Sequence, residues 1–255
     1  MAMSEEFLIN FTPQETRVAL MQQGVVQELH IERSANLGIV GNVYQGRVVR
    51  VLPGMQSAFI DIGLERTAFL HVADIWQARC GNGNGSSALK PIENLLSEGQ
   101  NLMVQVLKDP IGTKGARLTT QMSIAGRLLV YLAQDHHIGI SQRIEDEAER
   151  EQLRARIQGL LPPEEPGGFI ARTMAVTASD AELAADIAYL RRLWAEIGNR
   201  AKVAKAPAML HHDLRLEQRV LRDLVTSETT RVVIDSRENF QKLSAFAQEY
   251  MPQVA

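Results

Sequence analysis

Apolar and polar positions alternate at the start of the chain. Phe7, Ile9 and Phe11 are separated by single residues, and two further extended runs, 17–21 and 25–32, flank Gln22-Gln23-Gly24. Period-2 alternation around a Gly-containing turn is the pattern of a hairpin. A second strand-rich stretch carries Gly and Pro punctuation: residues 42–52 stop at Pro53-Gly54, 55–62 stop at Gly63, and 67–72, 102–108 and 116–120 follow. Five short strands in about 80 residues suit a small closed barrel of the OB kind. Between the third and fourth strands, residues 81–87 read Gly-Asn-Gly-Asn-Gly-Ser-Ser, too polar and Gly-rich to be ordered by packing.

From residue 145 the period changes to that of a helix. Leu153, Ile157 and Leu160 lie on one face of a predicted helix over 145–161 that ends before Pro162-Pro163. Ser179 and Glu182 form a capping-box pattern that opens a second helix, with Leu183, Ile187, Leu190, Trp194 and Ile197 as its buried stripe. Residues 167–173 between these helices read as a strand. The tail predicts a helix through Val220, Leu221 and Leu224, a strand over 231–234 and a helix over 236–250. No repeat of 20–50 residues is visible.

Composition narrows the class. With 255 residues and 45% hydrophobic positions the chain can bury a real core, so disorder and collagen-like repetition are excluded. One cysteine allows no internal disulfide, no charged-then-apolar leader opens the chain and no run reaches membrane-span length, which implies a cytoplasmic setting without a membrane partner. The net charge of −3 hides an uneven distribution. Residues 1–38 carry 2 basic against 5 acidic residues, 39–120 carry 8 against 6, 121–215 carry 12 against 13, and 216–255 carry 5 against 6. The one positive excess falls on the predicted barrel, where a basic groove would sit.

Candidate chemistry gathers there. Phe59 and Phe69 lie in alternating strands, so each either faces outward as a stacking platform for a base or joins the core. Arg47, Arg50, Lys108, Lys114 and Arg117 are candidate phosphate contacts, and Lys114 sits on the tight turn Gly112-Thr113-Lys114-Gly115 with backbone donors nearby, unless it is a plain solvated turn lysine. His136-His137 and His211-His212 are adjacent rather than i, i+4, which does not suit a shared metal. Cys80 has no partner cysteine. Asp235 ends a predicted strand, where a catalytic acid could sit, and Asp235-Ser236-Arg237-Glu238 also fits a helix N-cap at Asp235.

The words GNVYQGRVVRVLPGMQSAFIDIGLERTAFLHVADI and VLKDPIGTKGARLTT, then SIAGRLLV, GISQRIE and GGFIART, resemble the amino-terminal region of the ribonuclease E/G family. The resemblance runs over essentially the whole chain outside the Gly-Asn loop, and Ile62 in PGMQSAFIDIG favours the family's smaller branch over its larger one. It implies an α+β, multidomain fold: an RNase H-like subdomain (1–38 and 216–255) split by an S-one-type OB β-barrel (39–125) and an α/β 5′-sensor domain (126–215). It further implies that Phe59, Phe69 and Lys114 contact single-stranded RNA. In the sensor, Arg172 and Thr173 would grip a 5′-monophosphate, Gly126 and Val130 would lie beneath the terminal nucleotide, and Arg143 would add a cation. Residues 134–138 differ in length from the larger branch, and Gln142 stands where that branch has a second Arg.

Family members cleave RNA with a later DNase I-like domain holding magnesium on two aspartates, and a Cys-Pro-x-Cys motif binds zinc between protomers. Neither motif occurs here. The resemblance therefore implies the recognition half of an endoribonuclease of rRNA processing and mRNA decay, ending short of its natural terminus. Such a half would carry no metal site and would be inactive alone, whereas the full-length protein would need Mg and Zn and form homo-oligomers. A non-catalytic RNA-binding adaptor reusing the same domains is the alternative.

Overall fold

The computed structural model describes residues 5–76, 90–162, 164–226 and 228–250; the Gly-Asn loop, Cys80 and the residues after 250 lie outside them. The described residues form a mixed α+β protein with four α-helices and three sheets, and none of these helices is long and apolar enough to cross a membrane. The chain divides into two compact units, one of residues 1–38 with 214–255 and one of residues 39–213.

The first unit draws on both ends of the chain. Strands β1 (Glu5–Phe11), β2 (Glu15–Gln22) and β3 (Val25–Arg33) form an antiparallel meander. The β2–β3 turn is a two-residue connection with positive φ at Gln23 (51°) and Gly24 (76°), the geometry whose twist matches a hairpin. Strand β14 (Thr229–Ile234) joins β1 in parallel, so residues more than 200 apart in sequence share a sheet. Helices α3 (Leu216–Asp223) and α4 (Arg237–Tyr250) supply Val220, Leu221, Leu243 and Phe246 to a core shared with Phe7, Ile9 and Val18. Asp235 does not cap α4. Its carboxylate accepts from the Phe11 amide at 3.0 Å and from Asn10, tying the end of β14 to the end of β1, while Ser236 Oγ accepts from the Asn239 amide and takes the cap position.

In the second unit, β4 (Val43–Leu52), β5 (Ser57–Asp61), β6 (Ala68–His71), β8 (Arg117–Thr119) and β7 (Asn101–Lys108) close through a β4–β7 pairing into a five-stranded, OB-like barrel. Val48, Ala58, Ile60, Ala68, Leu70, Val104 and Leu118 fill it.

The segment after the barrel contains more strand than its helical period suggests. Strands β9 (Ser123–Ala125), β10 (Leu129–Leu132), β11 (Ile138–Ile140) and β12 (Gly168–Ala171) make a four-stranded sheet in the order β11-β12-β10-β9, and β13 (Ala208–His211) adds to β4 of the barrel. Strand β12 falls on the segment 167–173 that reads as a strand; the others, three or four residues long, are too short for alternation to register. Helices α1 (Glu147–Leu160) and α2 (Asp180–Val203) cover one face of the sheet. Helix α1 starts two residues later than its apolar period suggests, because Asp146 caps it by accepting from the Glu149 amide at 3.0 Å. Helix α2 opens on the Ser179–Glu182 capping box and buries Leu183, Ile187, Leu190 and Ile197. Trp194 is only partly buried, its ring against Tyr131. Buried Gln105 links barrel and sheet: its amide nitrogen donates to Gly41 and Ser123 carbonyls and its oxygen accepts from the Ser123 amide.

Candidate nucleic-acid interface

The pleat sends alternate residues of the barrel strands to opposite sides. Ala58, Ile60, Ala68 and Leu70 point inward and are fully buried, so Phe59 and Phe69 stand on the outer face, each half-buried. They are direct cross-strand partners, with ring centroids 6.2 Å apart and planes at 66°. The ladder extends this pair into a row, since Arg50 is registered with Phe59, Arg117 with Phe69 and Lys108 with Arg117. Residues paired in register share a face. Bulges in β4 and β7 bring Arg50 and Lys108 into it. One outer row thus reads Arg50, Phe59, Phe69, Arg117, Lys108 across five strands: two aromatic faces with cations at both ends.

Lys114 lies beside this row. Ile111 and Lys114 exchange backbone hydrogen bonds of 3.1 and 2.9 Å around Gly112 and Thr113, and Gly112 has a φ of +56°. Gly115 lets the turn lie flat on the barrel, because a Cβ there would fall 2.0 Å from the Thr67 carbonyl. Arg50, Lys108 and Lys114 are exposed and pair with no acid among the described residues. Arg117 is held by Asp74, whose Oδ2 accepts from Nε at 2.9 Å and pairs with Nη2 at 2.8 Å. Arg47 is exposed opposite Asp61, two register steps from the row.

The second set of residues meets at one end of the four-stranded sheet. Strands β11 and β12 run parallel with Ile140 opposite Ala171, so Arg143 and the pair Arg172–Thr173 leave at the same end. Strand β10 runs opposite to β12 with Leu129 facing Ala171, which brings the 126–128 turn to that end as well. Arg143 and Thr173 are exposed; Arg172 is half-buried, and its Nη1 donates to the Gly126 and Arg127 carbonyls at 2.7 and 3.3 Å. Val130 is on the sheet face away from the helices, in a row with Ala125, Ile170 and Gly139. Gly126 is buried, and the space a Cβ would take is occupied by the Asp186 carboxylate at 2.6–2.9 Å. The close approach this glycine permits within the chain is therefore that of Asp186.

Asp186 escaped the sequence pattern although a signal exists: it falls on the apolar stripe of α2, three residues after Leu183 and next to Ile187. Its carboxylate accepts from the Arg127, Leu128 and Leu129 amides at 3.1, 3.0 and 2.8 Å. Burial pushes its pKa above the usual carboxylate value, against the opposing pull of these amides and of Arg172. Asp74 gives no comparable signal, being a single acid in a 3-10 turn with no pattern around it.

No group of three or more His, Cys, Asp or Glu among the described residues is placed to hold a metal. His211 is partly buried on β13, His212 is exposed beside it, and His136 bonds the Glu165 carbonyl at 3.3 Å.

Comparison with known proteins places this geometry in context. The model of the ribonuclease E/G family matches residues 123–255. Ribonuclease G of Escherichia coli K12 is 48% identical over 255 residues, covering 99% of this chain and 52% of that protein. Ribonuclease G of Haemophilus influenzae is 46% identical over 253 residues, covering 98% and 51%. Ribonuclease E of a Nostoc species is 34% identical over 233 residues, covering 91% and 33%. The chain spans about half the length of the ribonuclease G relatives it matches.

Proposed function

Since the chain belongs to the ribonuclease E/G family, we propose that it is the RNA-recognition portion of an endoribonuclease acting on single-stranded RNA. The observation that carries this reading is the outer barrel row, in which Phe59 and Phe69 lie between Arg50 on one side and Arg117 and Lys108 on the other. A single strand offers unstacked bases to the rings and phosphates to the cations, whereas a duplex keeps its bases stacked away from them. The barrel then works as an S-one-type domain with Lys114 at its margin.

The end of the four-stranded sheet is the 5′ sensor. Arg172 supplies guanidinium donors and Thr173 a hydroxyl to a terminal phosphate, Arg143 adds charge, and Val130 with the Gly126 turn supports the first nucleotide. The 127–129 amides are spent on Asp186, so side chains carry the phosphate recognition. The sheet built from both chain ends is the RNase H-like part.

Cleavage is assigned to the part of the relatives beyond the matched region, with magnesium for hydrolysis and zinc for assembly of homo-oligomers. No reaction step is assigned to the described residues of this chain. The parent enzyme's role in rRNA processing and mRNA decay belongs to the same proposal.

Photo-crosslinking tests the reading. A short single strand containing 4-thiouridine should label peptides bearing Phe59 and Phe69, and an excess of unlabelled single strand, but not duplex, should suppress the labelling. Adducts confined to residues outside the barrel would reject it. Incubation with a 5′-monophosphorylated strand and magnesium should leave the strand intact. Metal-dependent cuts that vanish in Asp235→Asn would instead assign catalysis to this chain.

A further inference from the structure

Asp186 is a carboxylate on the apolar stripe of α2, only 9% exposed, flanked by Leu183, Ile187 and Leu190. Burying an ionised carboxylate among apolar side chains is costly unless its oxygens are matched by donors. Here they are matched by three successive backbone amides of one turn, at 2.8–3.1 Å. The carbonyls of that turn are matched from the other side. Arg172 donates through Nη1 to the oxygens of residues 126 and 127, and its own amide donates to the Leu128 oxygen at 2.8 Å. Asp186 therefore takes the N–H side of the turn and Arg172 the C=O side. The positive charge of Arg172 also favours the ionised form of Asp186.

We propose that Asp186 is the positioning residue of the 5′-phosphate site, holding the 126–129 turn so that Arg172 is braced in the orientation that meets a terminal phosphate. The inference rests on the sensor reading above and deepens it. A guanidinium is a rigid planar fork, so bracing one of its nitrogens on the turn fixes the plane in which the whole group is held. Fixing its rotamer before the ligand arrives removes an ordering cost from binding. Gly126 belongs to the same device, because a Cβ there would fall 2.6 Å from the Asp186 carboxylate, closer than real Cβ contacts allow.

The test compares affinities for one short single strand carrying a 5′-monophosphate or a 5′-hydroxyl, in the parent chain, Arg172→Ala, Asp186→Asn and Gly126→Ala. A charge-assisted phosphate contact corresponds to a preference of about tenfold to a hundredfold for the monophosphate in the parent. Arg172→Ala should abolish the preference. Asp186→Asn, which keeps size but removes charge and one acceptor, should lose most of it while affinity for the 5′-hydroxyl strand, carried by the barrel, stays put. Gly126→Ala, which displaces the carboxylate without removing it, should act in the same direction and serves if Asp186→Asn folds poorly.

A parent-like ratio in both Asp186→Asn and Gly126→Ala, with Arg172→Ala still losing the preference, would overturn this inference and leave the sensor standing. Equal loss of affinity for both strands in these variants would reduce Asp186 to a structural role and also overturn it. No preference in the parent would overturn the sensor reading and this inference together.

Discussion

Phe59 and Phe69 each expose part of a ring on an outer surface while their neighbours Ala58, Ile60, Ala68 and Leu70 fill the barrel. Replacing either ring with Ala should therefore leave the melting temperature almost unchanged. Binding of a single strand should weaken by about 1–3 kcal/mol per lost stack, roughly 5- to 150-fold, as measured by fluorescence anisotropy. Lys108 and Lys114 act on phosphate rather than base, so their Ala variants should weaken all sequences alike and reduce the slope of log affinity against log salt by about one unit each. The sequence leaves both phenylalanines open between the outer face and the core, because Ala58-Phe59-Ile60 and Ala68-Phe69-Leu70 are unbroken apolar runs, and burial of the flanking residues decides it. The clamp on Arg117 is not legible there, because Asp74 becomes its partner only when the turn after β6 meets β8.

Elements differ in legibility for a reason of length. Helix α2 has 24 residues and an explicit capping box, so its period and start are both readable. Leu190, fully buried on its stripe, should cost about 2–5 kcal/mol when cut to Ala, measured by chemical denaturation. Strand β12 is readable from the Gly-initiated segment 167–173, whereas β9, β10, β11 and β13 are not, because three or four residues cannot express a period and their pairing depends on partners distant in sequence.

Strand β13 also carries a pH signature. Burial depresses the His211 imidazole below its ordinary 6.5, outweighing the opposite pull of Asp213. Between the depressed value and 6.5 the unfolded chain binds more protons than the folded one, so stability falls as pH falls through that window. The melting temperature of the parent should drop more between about pH 7.5 and about pH 5.5 than that of His211→Gln. An equal drop in both would remove His211 as the cause.

At the scale of the molecule, the chain is two compact units, one of them assembled from both ends. No local pattern in the sequence announces that β14 will lie parallel to β1, because the two strands are more than 200 residues apart. The two cores make separable demands. Phe7→Ala should destabilise the first unit and Leu118→Ala the barrel, and single-strand affinity should follow the second substitution alone.

Binding of single-stranded RNA by the barrel's aromatic row is tested most directly by one titration. Anisotropy of a labelled single strand is followed against the parent chain and against the Phe59→Ala, Phe69→Ala double variant, with a duplex of the same sequence alongside. The expected result is saturable binding of the single strand by the parent, much weaker binding of the duplex, and loss of single-strand binding in the folded double variant. Undiminished affinity in that double variant, or equal affinity for duplex and single strand, would contradict it.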